Sequence, residues 1–357
     1  MKLSEILNSI KPLDKKSMDS ARQRQNSLTK PHGSLGILEE LSVQIAGIKA
    51  EVLPSLEHKA IITMAADHGV VAEGVTLYPQ EVTRQMVLNF LNGGAGINIL
   101  AKHIGARVIV VDMGVIGGFP PTPGLICKMI DFGTRNMAQG PAMTRQQAMD
   151  SIEAGIEIVE AEARKGLDIL GTGDMGIGNT TASSAIFAAI SGYPVEKITG
   201  RGTGIDDKQL AHKISVIEKA LTVNKPDPKD PMDVLVKVGG FEIGGLAGVI
   251  LAGAARKIPV VIDGFIAGAA ALIATGLSPQ VKNYLIAAHT SAEAGHAPLL
   301  GFLRLKPLLN LNMRLGEGTG AALGISLADA SVKILTQMAT FAEAGVSEAE
   351  PLKEQGA

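Results

Sequence analysis

Glu317 is flanked by Gly316, Gly318 and Gly320 within the segment Leu315-Gly316-Glu317-Gly318-Thr319-Gly320. The glycines leave no neighbouring side chains to screen the carboxylate, and they let a ligand approach the backbone on either side. Desolvated by a bound aromatic ring, such a carboxylate has its pKa raised towards working pH and accepts a proton. On the residues alone, a solvated turn glutamate is the commoner reading. Asp174 and Asp263 are further acidic residues at expected strand ends, where helix N-capping is their ordinary role. The stretch Gly176-Ile177-Gly178-Asn179-Thr180-Thr181 suggests different chemistry. A helix starting near Asn179 or Thr180 would offer backbone N–H groups and two hydroxyls to one phosphate. The residues alone leave a phosphate site and an unliganded capped helix start evenly matched. Lys213 falls on an expected helix, where a surface lysine is the default.

Other patterns carry less. Gly171–Gly176 fits the dinucleotide fingerprint G-x-G-x-x-G, with Glu196 about twenty residues on. However, Asp174 would lie in the turn meant for a pyrophosphate, and the motif stands in mid-chain. A nicotinamide-dependent dehydrogenase rests on that match alone. Val108–Met113 begins like the strand that binds phosphoribosyl pyrophosphate, but the second acidic position is Met113, and Gly114–Gly118 lacks threonine. Magnesium-assisted loss of pyrophosphate is therefore unsupported. His32, His68, His289 and His296 lack ligand spacing, so no metal is expected. Cys127 is the only cysteine, which excludes an intramolecular disulfide and a cysteine-rich zinc site. Its apolar surroundings, Leu125–Phe132, predict a buried structural thiol.

The elements that must position these residues follow from hydrophobic patterning. Leu3, Ile6, Leu7 and Ile10 repeat at helical spacing, as do Leu35, Leu38, Leu41, Ile45 and Ile48. The turn-rich Thr29–Ser34 lies between them. From residue 59, short apolar runs alternate with helical stretches: Ala60–Ala66, Arg107–Met113, Leu125–Phe132, Leu167–Leu170, Ile258–Ile262 and Tyr284–His289. Such runs are buried parallel strands with helices on both faces. Thr144–Lys165 is a helix with a Thr144/Gln147 capping box. The fold class is α/β: a Rossmann-like, doubly wound, mostly parallel sheet with a small helical subdomain from the N- and C-terminal segments. The expected divisions are 1–58 (helical, small domain), 59–323 (α/β catalytic domain) and 324–357 (C-terminal helix and tail, small domain). A helix is expected over Gly324–Ala339, and a frayed tail over Glu343–Ala357.

A net charge of −2 and a pI near 6.4 provide no basic field for nucleic acid or an acidic membrane. Trp is absent and aromatics are 3%, which disfavours base-stacking surfaces. The abundant glycine and alanine suit tight helix-on-sheet packing. The apolar stretches Gly244–Ala255 and Gly264–Leu277 fall short of the ~20 residues that a membrane span needs. The segment MKLSEILNSIKPLDKK does not read as a signal peptide. A soluble, cytoplasmic protein is expected.

Several segments, taken in order, resemble the nicotinate-nucleotide–dimethylbenzimidazole phosphoribosyltransferase family. They are Lys30-Pro31-His32-Gly33-Ser34-Leu35-Gly36, Ala66-Asp67-His68-Gly69-Val70, Tyr78-Pro79-Gln80-Glu81-Val82-Thr83, Gly176–Thr181, Lys237-Val238-Gly239-Gly240, Asp263-Gly264-Phe265, Ser291-Ala292-Glu293 and Arg314–Ala322. The resemblance spans nearly the whole chain. It implies a homodimer acting on nicotinate mononucleotide and a benzimidazole, without cofactor or metal, in assembly of the cobalamin lower ligand. It implies that Glu317 is the catalytic base, with Asp174 as a second candidate catalytic carboxylate. Gly176, Gly178, Asn179, Thr180, Thr181 and Lys213 would hold the phosphate, and Asp263 would lie near the ribose. Tyr78, Met86 and Leu315 would line the pocket for the base. Asp174 stands where many relatives have Glu, and Ala294 where members often have Lys. Some relatives use adenine or phenolic acceptors. A non-catalytic binding protein for benzimidazole ribotides is the alternative of another class.

Overall fold

The computed structural model describes residues 2–202 and 204–347. The chain opens with three helices, α1 (Leu3–Ser9), α2 (Lys15–Ser27) and α3 (Ile37–Lys49). Strand β1 (Lys59–Ala66) follows, then α4 (Glu81–Leu91), α5 (Gly96–His103), β2 (Arg107–Gly114) and the short β3 (Leu125–Cys127). Helix α6 (Arg145–Ala163) leads into β4 (Ile169–Met175). Helices α7 (Asn179–Ser191), α8 (Val195–Ile198), α9 (Asp207–Asn224), α10 (Pro231–Val238) and α11 (Phe241–Ala255) separate β4 from β5 (Val260–Ile262). After α12 (Phe265–Leu277) come β6 (Leu285–Ala287), α13 (His296–Leu303), α14 (Thr319–Gln337) and α15 (Phe341–Ala344).

All six strands pair in parallel, in the order β3-β2-β1-β4-β5-β6. This is the doubly wound Rossmann order, whose direction reverses between β1 and β4. Ligands in such sheets bind beyond the carboxyl ends of the strands at that reversal. Residues Ala60–Ala66 of β1 are all buried, as a strand covered by helices on both faces must be. Helices α11, apart from Glu242 in its first turn, and α12 are predominantly apolar and almost wholly buried. Their glycines permit close approach: a Cβ on Gly155 of α6 would collide with the Gly245 carbonyl of α11, and one on Gly248 with the Ile152 carbonyl. The capping box of α6 is present, with Thr144 accepting from the Gln147 N–H and Gln147 from the Thr144 N–H.

The chain divides into two compact units. The larger comprises the segment up to Pro12 with Leu56–Ser326 and contains the whole sheet. Helix α1 belongs here and not, as its terminal position suggested, with the other N-terminal helices. Leu3, Ile6 and Ile10 are buried, α1 packs on α11 and α6, and the Tyr284 hydroxyl donates to the Lys11 carbonyl at 2.8 Å. The smaller unit comprises Leu13–Ser55 and the segment from Leu327 onward. Ala21, Val43, Ala46 and Leu335 form its core, with Met18 against them. The Arg24 Nε donates to the Leu335 carbonyl at 2.7 Å. A buried ion pair, Lys30 to Glu39 at 2.8 Å, fixes the turn between α2 and α3.

The structure departs from the sequence expectations at four elements. Strand β4 runs on through Gly171–Met175, so the glycines are strand residues and not a loop. Helix α14 begins at Thr319, five residues before the expected start. Of the expected third strand, only Leu125–Cys127 forms strand, at the sheet edge, and Cys127 is exposed and not buried. An edge strand lacks the second neighbour that would have covered it. Helix α15 (Phe341–Ala344), capped by Thr340, runs into the first two residues of the expected frayed tail, and residues 348–357 lie outside the described residues. Among the described residues, no helix is long and apolar enough to cross a membrane.

Candidate active site

Register places Asp174 on β4 opposite Met64 of β1, at the sheet's point of reversal. The turn Gly316-Glu317-Gly318 crosses directly over this strand. A Cβ on Gly173 would collide with the Glu317 carbonyl, and one on Gly318 would meet the Ile61 side chain. The glycines in β4 are thus the space into which the turn fits. Four contacts hold it. The Glu317 N–H donates to the Asp174 carbonyl at 3.2 Å, and the Thr63 hydroxyl donates to the Glu317 carbonyl at 2.9 Å. The Gly318 and Ala321 N–H groups donate to Asp263 at 3.2 and 2.9 Å. Three successive residues have left-handed φ: Gly316 at 83°, Glu317 at 64° and Gly318 at 98°.

The Glu317 side chain is 4% exposed and points to the start of α5. There the Ile97 N–H donates to Oε2 at 3.1 Å, and Oε1 has no partner among the described residues. Burial raises the Glu317 pKa above the usual glutamate value, opposed by the Ile97 N–H. Asp174 is 5% exposed. Burial, then the charges of Asp263 and Glu242, push its pKa well above the usual aspartate range. Asn179 donates to its Oδ2 at 3.0 Å, and Oδ1 is unpartnered among the described residues. Asp263 is pushed up to about 7, first by burial, although the N–H groups of Ala321, Gly318 and Gly320 oppose the shift.

At the other end, Gly178 is the N-cap of α7 with φ 95°, so no side chain caps this helix. The helix thus presents its positive end without a side-chain acceptor. Lys213, reaching in from α9, is 1% exposed. Its Nζ donates to the Thr180 hydroxyl at 2.8 Å and to the Gly200 carbonyl at 3.3 Å. Burial lowers its pKa to about 8, with Glu293 acting against the shift. An ammonium held beside a helix N-terminus, without an ion-pair partner among the described residues, suits an anion.

One cavity of about 590 Å³ joins these parts. Lining it are Asp174, Gly176, Gly178, Asn179, Thr180, Lys213 and Glu317, and the expected base-side residues Tyr78, Met86 and Leu315. Val75 and Val82 extend the apolar wall. Two predicted residues lie outside the lining. Thr181 is fully buried, its hydroxyl unpartnered among the described residues. Asp263 is buried behind the Gly318–Ala321 backbone, so it positions the turn that carries Glu317. Arg201, Arg314, His289 and Glu293 also line the cavity without having been assigned a role. Arg314 and Glu293 stand in segments already singled out by resemblance. Arg201 and His289 carry no comparable signal, because only folding brings them here.

A family model described as phosphoribosyltransferase matches residues 10–346. The nicotinate-nucleotide–dimethylbenzimidazole phosphoribosyltransferase of Desulforudis audaxviator (strain MP104C) is 60% identical, over 98% of this chain and 99% of that protein. The protein of the same name from Roseiflexus sp. (strain RS-1) is 61% identical, over 97% and 98%. Among solved structures, the crystal structure of CobT from Thermus thermophilus superposes with a TM-score of 0.90 at 46% identity, covering 94% of this chain and 100% of that one.

Proposed function

The chain belongs to this phosphoribosyltransferase family, and from that premise we propose that it transfers the phosphoribosyl group of nicotinate mononucleotide to 5,6-dimethylbenzimidazole or a related base. The products are nicotinate and α-ribazole 5′-phosphate, which serves the lower ligand of cobalamin. One observation carries the reading: a single cavity is lined at one end by the buried ammonium of Lys213 at the start of α7, and at the other by Glu317 beside an apolar wall. This suits a phosphorylated sugar lying between an anion site and a flat, proton-bearing heterocycle. In the same reading, the enzyme acts as a homodimer.

The leaving group is a pyridinium nitrogen. As its bond to C1′ breaks, the electron pair returns to the ring and neutralises it, so neither a metal nor an acid is needed for its departure. One nitrogen of the benzimidazole forms the new bond to C1′ from the opposite face, which inverts the anomeric centre. The proton on its other nitrogen passes to Glu317, whose raised pKa makes it a stronger acceptor than an exposed glutamate. Holding both substrates in line contributes roughly 7–11 kcal/mol in favourable cases. The base adds a factor of about 10²–10⁴.

Incubation of the protein with nicotinate mononucleotide and equal amounts of dimethylbenzimidazole, adenine and p-cresol tests the proposal. The wall of Val75, Val82, Met86 and Leu315 favours an apolar ring, so chromatography is expected to find mainly α-ribazole phosphate. Adenine or cresol ribotide as the main product would reassign the acceptor. Binding without nicotinate release would make the protein a ribotide-binding module.

A further inference from the structure

Thr83 has no place in the chemistry above, yet it is completely buried, next to Val82 and bonded to Ile177, both of which line the cavity. It lies in the first turn of α4, between Val82 and Met86 of the apolar wall. Its Oγ1 accepts from the Ile177 N–H at 3.1 Å, in the middle of the turn that leads into α7. A hydroxyl that accepts one bond still has its own proton to donate. The buried Asp67 carboxylate is close enough for Thr83 to act against the upward push of burial on its pKa, and its Oδ1 has no hydrogen-bond partner among the described residues. Asp67 is itself fixed: its Oδ2 accepts from the Ile116 N–H at 2.8 Å, and its carbonyl accepts from the Thr134 N–H at 3.0 Å. Gln80, just before α4, donates to the His68 carbonyl at 2.9 Å. The His68 ring is locked to Glu242 at 2.7 Å. The segment that carries the acceptor wall is thus tied to the end of β1, and Thr83 extends the tie to the turn at the phosphate end.

We propose that Thr83 is a positioning residue: its hydroxyl holds the Gly176–Gly178 turn in register with the α4 wall, so that sugar and acceptor meet at reacting distance. This rests on the transferase reading for its kinetic consequences, but not for its structural one. Valine has the volume of threonine and cannot accept from Ile177; serine keeps the hydroxyl.

Steady-state kinetics and amide hydrogen exchange on Thr83→Val, Thr83→Ala and Thr83→Ser test it. For Thr83→Val, we expect a fall in kcat of about ten- to a hundredfold, the scale of a small misplacement of substrates. The KM for nicotinate mononucleotide should rise, and exchange over residues 176–181 should accelerate. Thr83→Ser is expected to stay within about twofold of the unaltered protein in every measure, on the same scale. Thr83→Ala serves the same comparison if the valine variant does not fold. Unchanged exchange and turnover in a folded valine or alanine variant would overturn the inference. So would a serine variant as impaired as they are, since packing and not the hydroxyl would then be at work. Should the unaltered protein turn over no substrate, the transferase reading fails, while the exchange measurement still decides the role of Thr83.

Discussion

Glu317 is held in a backbone conformation that a residue with a side chain enters at a cost of about 1 kcal/mol or more. The strain is maintained by hydrogen bonds from Thr63 and to Asp174, and by Asp263 gripping the next residues. Its effect is to aim one carboxylate oxygen at the Ile97 N–H and leave the other for the cavity. Replacing Glu317 with Gln keeps nearly the same shape and removes the base. We expect kcat to fall by about 10²–10⁴, with Kd values for both substrates near those of the unaltered protein. Near-normal kcat would remove Glu317 from the role. The pH profile gives the sign. The base works ionised, so kcat declines as pH drops through a pKa raised above 4.5, and the glutamine variant lacks that decline. At this scale the sequence was informative where glycines isolate a charged residue, as around Glu317. It was silent on Arg201, whose neighbours resemble an ordinary turn, and offered two roles for Asp263, a helix cap and a place near the ribose. An aspartate after a strand looks the same whether it faces ligand or grips backbone.

The elements were legible where hydrophobic period decides and illegible where one element fits against another. All six apolar runs contain strands, because buried parallel strands are apolar whatever their neighbours are. Glycines within β4 broke that pattern and resembled a phosphate loop. Their cause lies more than a hundred residues away, in the turn at Glu317 that crosses them. Cys127 failed for the converse reason: an apolar run does not reveal that its strand ends up at the edge. The crossing predicts that Gly173→Ala acts on chemistry more than on stability. The added methyl must displace the Glu317 carbonyl, and with it the carboxylate. A tenfold or larger loss of kcat is expected, on the order of what a misplacement of ~1 Å can do. Unchanged turnover in a folded Gly173→Ala would mean that the turn has room that the packing denies.

Across the larger unit, charge is distributed unevenly despite a net value of only −2. Asp174, Asp263 and Glu317 lie buried around one end of the sheet, and each has its pKa raised, with burial the largest cause. Such a cluster works against folding. For Asp174 the sign is definite. Because its folded pKa lies above its ordinary 3.8, the unfolded chain gives up that proton first as pH rises, and stability is lost across the interval. Asparagine has the neutral form's shape at every pH, and its oxygen can still accept from the Asn179 amide. In ligand-free protein, thermal unfolding of Asp174→Asn should match that of the unaltered chain below pH 3.8. The variant should then become progressively more stable than the unaltered chain as pH rises towards neutrality. The same substitution should impair turnover, since it removes a charge from the cavity wall. A variant equally stable at every pH would show that Asp174 is not desolvated as its burial requires. One that was stabilised and fully active would show that the charge cluster serves neither folding nor catalysis.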